Sequence, residues 1–207
     1  MKWALSSLLI LVLSCSAAPE RQYFGIAYTL VDIEANATPR YKATLRIVEP
    51  EIRLAYDRPQ IVYRYDPYRF KYYNYKFWVA KPQQMVAEVI HRHLQKANLF
   101  LETALVYQRA VPDYELVGEI EAIEEYDSGD KWYAHLAMTM RLVRFTDRTV
   151  VWSYQFDRKQ EVFNKEPVYV VRGMSDLMEE EMHQILAGIQ EVMDKETAAG
   201  AGQDGTP

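Results

Sequence analysis

The chain has 207 residues, a net charge of −5, 13% aromatic residues and a single cysteine. One cysteine excludes an internal disulfide and a thiolate metal site. An acidic balance argues against a nucleic-acid binder.

The first fourteen residues read as an export signal. Lys2 supplies a positive start, and Trp3 to Leu13 is an apolar run broken only by Ser6 and Ser7. A spanning helix needs about 20 apolar residues, so this run is too short for a permanent anchor. It ends in Val12-Leu13-Ser14-Cys15. That sequence resembles the bacterial lipobox, an aliphatic residue and a small residue ahead of a cysteine whose thiol accepts lipid. An ordinary signal cut near Ser16-Ala17-Ala18 is the alternative. Acylation at Cys15 would dispose of a lone thiol that an oxidising compartment makes a liability. Two or more acyl chains hold a protein stably on a bilayer, where one does so only marginally. Ser16, rather than Asp, follows the cysteine, and in enterobacterial sorting this directs a lipoprotein to the outer membrane.

Removing residues 1–14 takes away one basic side chain, so 23 basic face 29 acidic, a net charge of −6. Residues 15–21 form a tether, and residues 197–207 are small and polar, as a disordered tail would be. Residues 22–196 carry no repeat and no Gly/Ser linker, so they form one domain. A domain of about 175 residues buries roughly 70% of its unfolded surface and needs no staple.

Periodicity sets the elements in chain order. Tyr23–Val31 and Ala43–Glu49 read as short strands. Gln60–Arg64 and Arg69–Tyr75 read as a strand pair turning at Asp66-Pro67. A helix follows over Lys81–Asn98, with Pro82 in its first turn and an apolar stripe of Val86, Val89, Ile90, Leu94 and Ala97. Leu99–Val106 reads as a strand. A three-stranded meander comes next. In its first strand Tyr114, Leu116, Gly118, Ile120 and Ala122 alternate with polar residues. Its second strand presents Trp132 to Leu142 on one face, and its third continues through Val150, Trp152, Tyr154 and Phe156. The last helix covers Val170–Lys195, with Met174, Met178, Met182, Ile185, Leu186, Ile189 and Val192 in one stripe. Two helices with one apolar face each, and a meander with one face to cover, imply a two-layer α/β (α+β-like) domain. Its sheet is mixed and largely antiparallel, with the helices packed against it.

Candidate chemistry is sparse. No P-loop, no Gly-x-Ser-x-Gly elbow and no cysteine nucleophile occur. Glu88/His91 and Glu180/His183 have the Glu-x-x-His spacing of di-iron bundles. Those bundles need four helices, and both pairs lie opposite an apolar stripe, so a solvated charged face explains them. No metal and no cofactor are expected. His93, inside the stripe, reads as a packed core histidine. Asn36-Ala37-Thr38 matches a glycosylation acceptor by accident in a bacterial lipoprotein. Residues 63–78 interleave aromatic and basic side chains. That composition suits a protein interface, a twisted hairpin covering a sheet edge or, less readily in an exported protein, single-stranded nucleic acid. Candidate partner contacts are Tyr63, Arg64, Tyr68, Arg69, Tyr73 and Trp78. The Met-rich last helix reads as core, with a lipid-lining groove as the rival.

The run Leu54-Ala55-Tyr56-Asp57-Arg58-Pro59-Gln60-Ile61-Val62-Tyr63-Arg64, an aromatic strand, Trp78, and Pro82 opening a helix resemble the ABC-type transport auxiliary lipoproteins. This family accompanies MCE-type lipid transporters and includes the lipoprotein of the paraquat-inducible system. The resemblance implies a non-enzymatic periplasmic component that docks an MCE-domain protein at a membrane while a separate ATPase supplies energy. Its expected location is the periplasmic face of the outer membrane, and its expected partners are the MCE protein, the membrane and a second copy of the chain. The alternative is a structural or assembly lipoprotein of the outer membrane unrelated to lipid transport. A hydrolase would need polar groups converging in a pocket.

Overall fold

The computed structural model describes residues 19–27, 29–30, 32–106 and 111–203, with backbone alone for 200–203. Cys15 and most of its tether lie outside these residues. Nine strands and two helices follow in the order β1 (Gln22–Phe24), β2 (Tyr41–Ile47), β3 (Glu51–Ile52), β4 (Gln60–Asp66), β5 (Arg69–Trp78), α1 (Pro82–Ala97), β6 (Phe100–Ala104), β7 (Tyr114–Asp127), β8 (Trp132–Arg144), β9 (Val150–Val162) and α2 (Pro167–Gln203). They form one open mixed sheet, mostly antiparallel, with both helices packed on it, as the periodicity implied.

β7 is the axis of the sheet. On one side it pairs antiparallel with β8, which pairs antiparallel with β9. Its other side is met in turn by three parallel segments, β2 at its start, β3 in its middle and β4 at its end. β4 continues outward through the β4–β5 hairpin to β1, while β2 carries β6 on its far side. The sheet therefore has two distinct ends. One holds the ends of β4, β7 and β9, the start of β8 and the β4–β5 turn. The other holds the starts of β2 and β7 and the C-terminal part of α2, where Arg40 and Tyr41 bond to Asp194.

α2 lies along β8 and β9. Gly173 stands against Ala134, and an added Cβ at Gly188 would come within 2.5 Å of the Trp152 indole nitrogen. Its stripe of Met174, Met178, Met182, Ile185 and Ile189 is fully buried, so the methionines are core. α1 starts with Pro82 at its first turn and stops at Asn98, in the left-handed region (φ 50°). Asn36 Nδ2 donates to Ala97 O (2.7 Å) and Asn98 Nδ2 donates to Asn36 O (2.8 Å). Asn36 thus closes a helix end. His93 is buried as expected, with Nδ1 at 2.7 Å from Val89 O and Nε2 at 3.6 Å from Glu179.

Several boundaries moved. The strand expected over Tyr23–Val31 is confined to Gln22–Phe24. Beyond it the backbone N–H groups of Ala27 and Thr29 donate to Ser175 Oγ and Glu179 Oε2 on α2, each at 3.0 Å, instead of to a neighbouring strand. Residues 28 and 31 lie outside the described set. β2 starts two residues earlier than alternation suggests, and β6 is shorter than Leu99–Val106. α2 continues through Gln203, into the segment whose composition reads as a tail.

The main correction to the strand faces lies in β7. Ile120 faces Met138 and Ala122 faces Ala137, leaving Glu121 as an extra residue. This bulge shifts the alternation by one. Ala122 moves to the face away from the helices, Ile123 takes its place in the core, and Glu124 becomes buried on the second face.

Candidate functional site

The aromatic hairpin is built from β4 and β5. Asp66 makes the turn: its Oδ1 accepts the N–H groups of Tyr68 (2.9 Å) and Arg69 (3.1 Å), and its carboxylate pairs with the Arg69 guanidinium. The six residues that composition nominated as partner contacts diverge from here. Trp78 is buried in the core at 3% exposure. Tyr73 donates its hydroxyl to Glu125 at 2.9 Å, and its ring lies 4.6 Å from that of Tyr63. Arg64 pairs with Glu124 beneath the sheet's second face and lies over the rings of Phe70 and Tyr126. Tyr68 (90% exposed) and Arg69, at the tip, are the two that face outward. The hairpin is thus a folded edge whose inner residues are committed to the domain.

Two polar clusters beneath that edge escaped sequence reading. Glu124 is fully buried and accepts from Tyr56 Oη (2.8 Å), from His135 Nδ1 (2.8 Å) and from Arg64. His135 Nε2 lies 2.8 Å from Asp157. Burial opposes the charge on Glu124, yet the bonds from His135, Arg64 and Tyr56 outweigh it and hold the carboxyl below its ordinary value. The Tyr56 hydroxyl is pushed up, first by burial and then by Glu124. Tyr56, Arg64, His135 and Asp157 of this cluster line a cleft of about 190 Å³ together with Arg53, Ala55, Phe70, Glu121, Ala122 and Ala137.

An Asp–His–Glu chain in a cleft is an arrangement that catalytic sites also use. No Ser, Thr or Cys lines this cleft. The only hydroxyl there, that of Tyr56, is already donated to Glu124 and held protonated. The arrangement joins β4, β7, β8 and β9 through side chains.

The second cluster centres on Glu125, 1% exposed on the helix-facing side. Burial pushes its carboxyl up to about 7; the Tyr73 hydrogen bond and nearby Lys76 only partly offset this. Both Glu124 and Glu125 sit just past the bulge. As neighbours in the strand they are buried on opposite faces of the sheet.

The Glu-x-x-His pairs are dispersed. Glu88 pairs with Arg92, His91 Nε2 lies 3.1 Å from Thr103 O, and Glu180 pairs with Arg158. Among the described residues no group of three or more His, Cys, Asp or Glu side chains could hold a metal ion. Among them, too, no helix is long and apolar enough to cross a membrane.

The family described as ABC-type transport auxiliary lipoprotein component matches residues 28–186. The chain belongs to this family. Among curated proteins none matches. The fold is similar to a crystal structure of a protein from Xanthomonas campestris, at 17% identity and a TM-score of 0.71, covering 86% of this chain and 99% of that one. It is also similar to that of an uncharacterised protein, at 10% identity and a TM-score of 0.65, covering 83% of this chain and 99% of the other. The family therefore makes this chain an auxiliary lipoprotein of ABC-type transport, and the two structures share its fold.

Proposed function

We propose that the protein is a non-enzymatic, lipid-anchored subunit of an MCE-type ABC transporter that moves phospholipid between the inner and outer membranes. The observation that carries this reading is the family match over residues 28–186, preceded by the signal and lipobox ending at Cys15. The interior supports it. Tyr56, Arg64, Glu124 and His135 are engaged with one another, and no Ser, Thr or Cys lines the cleft they border. Energy would come from a separate ATPase, consistent with a chain that carries no P-loop. Ser16 after Cys15 supports an anchor in the outer membrane, with the domain in the periplasm.

Partner contact through the hairpin narrows to its tip. Arg64, Tyr73 and Trp78 are occupied inside the domain, so changing them reads stability instead of docking. Tyr68 and Arg69 are exposed enough to touch a second body.

Affinity purification of the full-length lipidated chain from detergent-solubilised envelopes tests this function. The expected result is co-purification of an MCE-domain protein with a permease and an ATPase. Recovery of outer-membrane assembly factors with no transporter subunit would overturn it in favour of a structural lipoprotein.

A further inference from the structure

β1 runs parallel to β5 at the sheet's outer edge, with Gln22 beside Lys76 and Phe24 beside Trp78. β5 starts at the β4–β5 turn, so the chain entering β1 comes from the end of the sheet that holds that turn. Ser16 to Gln22 is seven residues, and seven residues reach at most about 25 Å. Carried back by seven residues from Gln22 and Lys76, the register arrives at Arg69, the first residue of β5. An anchor at Cys15 can therefore bring this end of the sheet to the bilayer, while the C-terminal half of α2 points to the opposite end.

The same end carries the two most exposed aromatic side chains among the described residues. Tyr68 is 90% exposed at the β4–β5 turn, and Phe163 is 93% exposed where β9 hands over to α2. The strand path β5-β4-β7-β8-β9 separates them by four pairings, about 15–20 Å at a spacing of about 4.8 Å. Basic side chains surround the pair: Arg69 beside Tyr68, Lys71 over the Tyr65 ring (4.8 Å), Lys131 in the β7–β8 turn, and Lys165 over the Trp132 ring (5.2 Å). Their acidic neighbours are Asp66, which pairs with Arg69, Glu161, which pairs with Lys131, and Asp127, Asp130 and Glu166 in the adjoining turns, so this end carries charges of both signs. Exposed aromatic rings flanked by long amphipathic cations and by carboxylates suit the mixed-charge head-group layer of a phospholipid surface.

We propose that this end of the sheet, with Tyr68 and Phe163 at its two corners, is seated on the phospholipid surface that holds the anchor. The strands then stand on the membrane and the opposite end of the domain is presented to partners. The inference rests on the reading that Cys15 is acylated, and the test separates the two.

Acylation would consume the natural thiol, so Phe163→Cys and Tyr68→Cys would each leave one reactive thiol in the mature chain, and both sites are exposed enough to keep the fold. Val150→Cys, at the other end of β9, is the control (49% exposed). Each lipidated variant is labelled with an environment-sensitive fluorophore, weighed intact, and reconstituted on phosphatidylethanolamine–phosphatidylglycerol vesicles doped with a nitroxide lipid. The labels at 163 and 68 are expected to shift to the blue and be quenched several-fold more than the label at 150. Equal quenching at all three sites, on protein whose mass shows the acyl chains, would overturn the seating and leave the anchor standing. A mass without acyl chains would overturn both. Protection at 68 and 163 only on adding a transporter subunit would assign this end to a protein partner and overturn the proposal.

Discussion

Glu125 shows how one carboxyl couples this fold to pH. Its pKa rises from 4.5 to about 7 because burial penalises its charge more than Tyr73 and Lys76 favour it. Between those two values the folded state holds a proton that the unfolded state has released. Stability must therefore fall as pH rises through that window, by up to about 3 kcal/mol when it is complete. Glu124 behaves oppositely, since its lowered pKa makes a contribution that is present above its ordinary value and lost on acidification. Replacing Glu125 with Gln should remove the first dependence. In urea titrations, the difference between Glu125→Gln and the native chain should grow from pH 4.5 to pH 8 in favour of the variant. A difference that stays constant with pH would show that Glu125 carries no raised pKa.

Elements were legible where their signal is local. The β4–β5 pair, its Asp66-Pro67 turn, both helical stripes and the three-stranded meander follow from periodicity and turn residues within a few positions. What depended on distant partners was not. The segment after β1 alternates like a strand, but the amides of Ala27 and Thr29 are taken by Ser175 and Glu179, about 150 residues away. The bulge at Glu121 turns the end of β7 over, and no composition marks it beforehand. His135 and Asp157 stand on different strands, so the Glu124 cluster exists only once β7, β8 and β9 are in register. The hairpin's aromatics were visible in sequence, whereas their division between core, polar cluster and tip was not. The α2–sheet contact shows how closely elements approach. Gly188→Ala would drive a methyl into the Trp152 ring, within 2.9 Å of two of its carbons. The expected cost is about 1–3 kcal/mol, seen as a lower Tm, although Ala favours the helix. An unchanged or higher Tm would mean that α2 can move off β9 without penalty.

At the scale of the molecule, the proposed seating gives the sheet a tethered end and a far end, with the lipobox and the exposed aromatics as the observations behind setting the tethered end on a membrane. The polar clusters tie β4, β7, β8 and β9 together across that end, which suits a rigid adaptor. Everything functional in this arrangement depends on lipid at Cys15. The most direct measurement is the intact mass of the chain extracted from envelope membranes. It should begin at Cys15 and exceed the polypeptide mass by a thioether-linked diacylglycerol and an amide-linked acyl chain. An unmodified chain starting at Ser16, Ala17 or Ala18 would contradict the anchor, and with it the lipid-anchored subunit and the seated end.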